Sequence, residues 1–350
     1  MDFLTSDEAE RYCRDNLEQN IDEEDIKKII EIVSFYKLEI LEIKAYRKAA
    51  DFYYSIKKYY DAAHYCQKIL DYYIRIGNED KLAFLYNQIG VYKYLNMNYK
   101  EALVYFDKAN VYAIMFCDSD IEIKSLFNMA LIYRKMQWFD KAIEYAEMCI
   151  EKTSYKSCPE KYIMFYSIKI NCYGDMRKYD KAIEICRILI DEIKDHNDIV
   201  TAYLYNNIGN LYFLKGDLDE SLNYFFRSEE IRKMKEPQKY GRTMIDKSIV
   251  YISKGFFIEA EEALLAGIEL ASTHNDYEYV LKGHEYLIIV YKALKCDARI
   301  EAIYSKNIEF LKEKKPEDLK KIYLQMSQYY ISQGKLDKAD EYIKLSLEGN

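Results

Sequence analysis

A small residue recurs along the chain at Ala62, Ala102, Ala142, Ala182, Ser221, Ala260 and Ala339, with a degenerate copy at Ile300. Successive spacings are 40, 40, 40, 39, 39, 40 and 39 residues. A fixed period of this size marks a stack of like supersecondary units, and it restricts the fold more than any composition figure does. The flanking columns keep the same phase. Three residues before the small position stand Tyr59, Tyr99, Phe139, Tyr179, Leu218, Phe257 and Leu336. Nine before it stand Tyr53, Tyr133, Tyr173, Tyr212, Tyr251, Tyr291 and Tyr330, with Lys93 the exception. Stretches such as "YNQIGVYKYLNMNYKEALVYFDKA" (86–109) read as a first helix (A), a tight turn and a second helix (B). Gly216, Gly255 and Gly334 fall at A-helix ends, where a left-handed cap favours glycine. Asp140, Asp180, Asp219 and Asp337 open B-helices, where a carboxylate suits the helix dipole.

By length alone, 350 residues suggest two or three compact domains, but a repeat array grows by adding units and removes that expectation. Apolar residues at 50% and charged residues at 31%, with 3 prolines and 11 glycines, fit a folded, helix-rich chain. The 38 tyrosines are the outlier, and the repeat columns absorb many of them as rings packed where two helices approach over a small residue. A net charge of −8 argues against nucleic acid or an anionic membrane as partner. No apolar run is long enough to span a bilayer, and "MDFLTSDEAERY" lacks the regions of a signal peptide. Eight cysteines without C-x-x-C spacing and four histidines offer no metal cluster. The expectation is a soluble, cytoplasmic protein with reduced cysteines, no cofactor and no metal.

These columns carry a family resemblance. The pattern resembles the tetratricopeptide repeat over residues 43–350, with the family's small eighth residue standing as Gly90, Ala130 and Gly209. The unit is longer than the usual one of about 34 residues. Long units of this kind resemble those of the bacterial peptide-pheromone receptors of the RRNPP group, which includes the Rap and PlcR proteins. The resemblance implies an all-α, right-handed superhelical solenoid of eight long helix pairs. Residues 1–42 are expected to form two capping helices, one near 6–19 and one near 23–42, the second capped by Asp22 with Asp25 three residues on. They resemble neither a helix-turn-helix DNA reader nor the full N-terminal bundle of a Rap phosphatase.

In the family, places two, five, nine, twelve and thirteen of each unit face inward. Across eight units these positions hold nine cations here, Lys44, Arg47, Lys124, Arg134, Lys135, Arg242, Lys282, Lys292 and Lys321. They hold three anions, Asp51, Asp175 and Glu285, so the wall carries +6 while the rest of the chain carries −14. Such a wall would attract an anionic partner; the alternative is that these are solvated side chains with packed stems.

The same wall holds amides. Asn206 and Asn210 lie four apart on one helix face. Asn207 and Asn128 take the sixth place of their units, Asn87 a fifth and Asn171 a ninth. The carboxylate clamp of the co-chaperone members maps onto Ser167, Asn171, Asn207, Arg242 and Asp246, so one cation is missing and another is replaced by an acid. In pheromone receptors, asparagines of this kind grip the backbone of an extended peptide, and Phe213 would help line a side-chain pocket. The competing reading has the asparagines bond between adjacent helices and hold the array together.

The expected site is therefore Asn87, Asn128, Arg134, Asn171, Asn206, Asn207, Asn210, Phe213 and Arg242. The expected function is an intracellular binding protein that holds a short linear signalling peptide, anionic or with a free carboxylate, and changes conformation to regulate a protein partner. The alternative is a passive scaffold that docks a protein helix or tail. A homodimer is a further expected partner; nucleic acid, membrane and enzymatic activity are not expected. His64, Cys66 and Asp61 share a B-helix, but Cys66 repeats in column with Cys186 and reads as packing.

Overall fold

The computed structural model of the chain describes residues 5–19, 21–193 and 198–348, and among them it contains helices and turns but no strand. Two helices come first, α1 (Ser6–Leu17) and α2 (Glu23–Phe35). Eight A–B pairs follow. The first four are α3 (Glu39–Ser55) with α4 (Tyr59–Arg75), α5 (Leu82–Leu95) with α6 (Tyr99–Met115), α7 (Ser119–Lys135) with α8 (Phe139–Glu151), and α9 (Pro159–Asp175) with α10 (Tyr179–Ile193). The last four are α11 (Asp198–Lys215) with α12 (Leu218–Lys235), α13 (Pro237–Lys254) with α14 (Phe257–Thr273), α15 (Tyr277–Ala293) with α16 (Asp297–Lys314), and α17 (Leu319–Ser332) with α18 (Leu336–Glu348). The described chain falls into two compact units, Met1–Lys178 and Tyr179–Asn350.

Each A-to-B turn is built the same way. One residue after the A-helix takes a left-handed conformation, and the next N–H reaches back to the carbonyl of the tyrosine column. Trp138 N–H to the Tyr133 carbonyl at 2.8 Å and Lys335 N–H to the Tyr330 carbonyl at 2.9 Å are examples. Gly216, Gly255 and Gly334 hold the left-handed position as expected, with φ of 90°, 78° and 70°. In the other five pairs the same place is taken by Lys57, Met97, Gln137, Arg177 and Lys295. A side chain there costs about 1–2 kcal/mol; the returning hydrogen bonds and the stapling contact across the turn offset it. Trp138 supplies such a contact, stacked on Tyr133 at 5.9 Å between ring centres.

The tyrosine column then explains its own abundance. In four pairs the ring lies parallel to a tyrosine of the following B-helix: Tyr53 on Tyr65, Tyr133 on Tyr145, Tyr212 on Tyr224, and Tyr330 on Tyr342. The small residue where the two helices of a pair meet is sealed, with Ala62, Ala102, Ala142 and Ala182 fully buried. Where the small residue is Ser221, its hydroxyl donates to the Gly209 carbonyl at 2.7 Å, so the close helix approach leaves no orphaned group. Cys66 and Cys186 are buried packing residues as expected, and burial pushes both thiols up to about 12.

One expected element differs. The helix foreseen across 23–42 stops at Phe35, because Lys37 turns left-handed with φ 54° and its neighbour Leu38 bonds back to the Val33 carbonyl. The first A-helix therefore starts at Glu39. The cap at the other end of α2 is as expected, with the Asp22 carboxylate accepting the Asp25 N–H at 2.9 Å.

Candidate ligand site on the A-helices

In the second unit, α11, α13 and α15 line a cavity of about 410 Å³. Asn206, Asn207, Asn210 and Phe213 enter it from α11, and Arg242 from α13. Their spacing on α11 puts them on one face, as the sequence pattern implied.

The polar network around the cavity is built on a buried acid. Asp246, on α13, is 2% exposed. One of its oxygens accepts Nζ of Lys282, from α15, at 2.7 Å. The other accepts Asn206 Nδ2 at 2.8 Å and faces the Tyr279 hydroxyl at 3.4 Å. Burial opposes the charge on Lys282, and the Asp246 carboxylate overcomes it, so the lysine is held above its ordinary range. Burial and then the neighbouring carboxylate push the Tyr279 phenol up to about 12. Arg242 pairs with Asp276 and places its guanidinium 4.9 Å from the Tyr279 ring centre. Asn210 donates to the Asn206 carbonyl at 3.1 Å, one turn back along α11.

Arg232 also lines this cavity, although it comes from a B-helix, α12. It is 4% exposed, and its terminal nitrogen donates to the Thr243 hydroxyl at 2.9 Å and the Lys239 carbonyl at 3.2 Å. The inward columns of the sequence pattern lie on A-helices and give it no place. In the sequence pattern Asp246 stands only as a departure from the co-chaperone clamp.

The other expected site residues lie in the first unit. Asn128 Nδ2 donates to Asn87 Oδ1 at 3.3 Å, a bond between α7 and α5. These two amides thus do what the competing reading assigned to them. Arg134 lines a separate cavity of about 480 Å³ and pairs with Asp175 at 2.9 Å. Asn171 is exposed on α9. Four of the nine wall cations sit in ion pairs: Arg134, Arg242, Lys282 and Lys321, the last with Glu285. Asp246 and Asp276 stand outside the inward columns, which is why the count of +6 overstated the free positive charge. Among the described residues no group of three or more His, Cys, Asp or Glu could hold a metal ion, and no helix is long and apolar enough to cross a membrane.

The tetratricopeptide repeat family matches residues 123–151, 201–230 and 320–348. Two curated relatives from Bacillus subtilis align with most of the chain. Response regulator aspartate phosphatase A is 22% identical over 281 residues, covering 75% of this chain and 70% of the relative. Response regulator aspartate phosphatase E is 24% identical over 234 residues, covering 61% and 60%. Among solved structures, the apo form of RapI is 15% identical with a TM-score of 0.57, covering 98% of this chain and 97% of that one. The apo quorum sensor NprR from B. thuringiensis is 17% identical with a TM-score of 0.54, covering 99% of both chains. The Rap conjugation gene regulator of plasmid pLS20, in complex with its Phr* peptide, is 19% identical with a TM-score of 0.50, covering 98% and 94%. At these identities the likeness to solved structures establishes the fold. The chain is an all-α tetratricopeptide-repeat solenoid protein, homologous to the Rap response regulator aspartate phosphatases.

Proposed function

We propose that the cavity between α11, α13 and α15 is a binding site for a short linear peptide, and that the bound peptide regulates the chain's contact with a protein partner in the cytoplasm. One observation carries the reading: three asparagines of a single helix face converge on one cavity with buried polar groups at its base. An extended peptide brings unpaired N–H and C=O groups, and side-chain amides can pair with both kinds. The structural relative that holds a Phr* peptide supports the same reading. The names of the two curated relatives point to a response regulator as the class of partner. In this reading α1 and α2 cover the open face of the first repeat, and regulation needs the peptide to favour one of two conformations of the array.

Asn207→Ala and Asn210→Ala test the assignment. Peptide affinity measured by calorimetry falls in both variants, while the unfolding midpoint barely moves. Unchanged affinity with lowered stability would mean that these amides serve packing between helices. A passive scaffold would bind no short peptide tightly and would keep its dimensions in X-ray scattering.

A further inference from the structure

We infer that the seam between α12 and α13 is a built-in opening point of the second unit, and that parting it takes the cavity described above apart. The inference concerns the array itself and stands whatever the cavity binds. Among the described residues the buried charged side chains are Glu229, Arg232, Glu236, Asp246 and Lys247, and all lie on α12, on α13 or in the turn that joins them. Across the seam, Lys247 Nζ donates to Glu229 at 2.7 Å and Arg232 donates to the Thr243 hydroxyl at 2.9 Å. The match is incomplete. Glu229 Oε1 and Arg232 Nε have no hydrogen-bond partner in the protein, and burial pulls the Arg232 guanidinium below its ordinary range.

The other repeats show what ordinarily fills these places. At the place of Glu229 stand Leu70, Ile150, Ile190, Ile268, Ile308 and Leu347, with Asn110 the exception. At the place of Lys247 stand Ala49, Ile89, Met129, Ile208, Leu287 and Met326. Lys169 is the exception there, and its partner Glu147 is half exposed. Arg232 takes the place of Ile193, Ala271 and Leu311. A buried ion pair offsets its own desolvation no better than well-packed apolar side chains do, and orphaned buried atoms add to the cost. Opening this seam therefore rehydrates charge, where opening an apolar seam only exposes hydrocarbon. The position gives the opening a consequence. Asn206, Asn207 and Asn210 stand on α11, while Arg242 stands on α13, and the Asn206–Asp246 bond at 2.8 Å joins the two walls. Whatever touches both walls holds the seam shut by linkage.

The test reads seam opening by thiol labelling of the full chain. Ser228, fully buried on α12, donates to the Ala202 carbonyl at 2.8 Å and faces Thr243 of α13 at 3.4 Å. Cys149 holds the same repeat place on α8 and points its thiol at the Ile123 carbonyl in the same way, so it is an internal control for Ser228→Cys. Labelling by N-ethylmaleimide, resolved by peptide mass spectrometry, is at least about tenfold faster at the introduced thiol than at Cys149. Adding Glu229→Ile, Arg232→Leu and Lys247→Ile brings the rate to within about threefold of Cys149. Adding Lys247→Met alone, which leaves the Glu229 carboxylate without its cation, speeds labelling about tenfold further and leaves Cys149 unchanged. An introduced thiol no more reactive than Cys149 overturns the inference. So does undiminished labelling in the folded apolar variant, because the charges would then not be the cause. Should that variant lack helical circular dichroism, the Lys247→Met arm decides, and unchanged or slower labelling there overturns the inference. A parallel rise at Cys149 means that the whole chain opens, and it too overturns the seam. None of these readouts uses a peptide, so the binding proposal stands or falls separately in calorimetry.

Discussion

Replacing Lys282 by methionine removes the charge opposite Asp246 while keeping most of the side-chain volume. Asp246 is 2% exposed, so its carboxylate stays buried and loses its ion pair with Lys282. Removing one partner of a fully buried pair costs about 3–5 kcal/mol. Two features lower that figure here. The Lys282 side chain is 35% exposed and keeps part of its hydration, and Asp246 retains the Asn206 and Tyr279 contacts. The expected loss is about 2–3 kcal/mol. Combining Lys282→Met with Asp246→Asn leaves no buried charge, so the double variant costs no more than about 1 kcal/mol. Urea unfolding followed by circular dichroism gives the stabilities. Because repeat arrays open piecewise, amide exchange in α13 shows whether the loss is local. A single-variant loss below about 0.5 kcal/mol, or a double variant as costly as the sum of its parts, would refute the argument. The pH sign follows from the raised lysine pKa. The pair's contribution is present below the unfolded lysine value of about 10.4 and is lost as pH rises through the folded value.

Further expectations concern packing and titration. In Gly241→Ala the new Cβ would lie 2.6 Å from the Gly267 carbonyl oxygen, a backbone atom of α14 that cannot yield; a loss of about 1–2 kcal/mol is expected after the helix-propensity gain. Gly209→Ala meets the Phe225 ring at 3.0 Å and lowers the melting temperature less. Burial raises the phenols of Tyr46, Tyr92, Tyr279 and Tyr330 to about 12. The folded state therefore holds them neutral, and stability present below pH about 10 declines between about 10 and about 12, which unfolding midpoints alongside tyrosinate absorbance will show. His284 is pulled below its ordinary value, chiefly by burial, and its Nδ1 lies 2.5 Å from Asn307 Oδ1. Its contribution is present above pH about 6.5 and lost as pH falls through the folded value; an imidazole titration by NMR with a midpoint at or above 6.5 would contradict this.

The array was legible in the sequence because its cause is local and repeated. A small residue, an aromatic and a tyrosine at fixed offsets give eight helix pairs, and the structure keeps every one of those columns. Lys57, Met97 and Gln137 were not legible as left-handed caps, because nothing in those residue types signals it; the returning hydrogen bonds impose it. The site was half legible. Asn206, Asn207, Asn210, Phe213 and Arg242 do share a cavity, since one helix face and its neighbour fix them. Asn87 and Asn128 instead bond to each other, a distance across helices that spacing alone does not encode. The expected free positive charge shrank for a similar reason: Asp276 sits in a turn and Asp246 one place off the inward column, so a count by column missed both partners. Arg232 escaped notice because a long side chain on a B-helix can still reach a groove lined by A-helices.

The central claim is that a short peptide occupies the cavity between α11, α13 and α15. A crystal structure of the chain grown with a short peptide that it binds in calorimetry tests it most directly. The account expects density for an extended peptide against the α11 face that carries Asn206, Asn207 and Asn210. Peptide density elsewhere, with none of these three asparagines bonded to it, would contradict it.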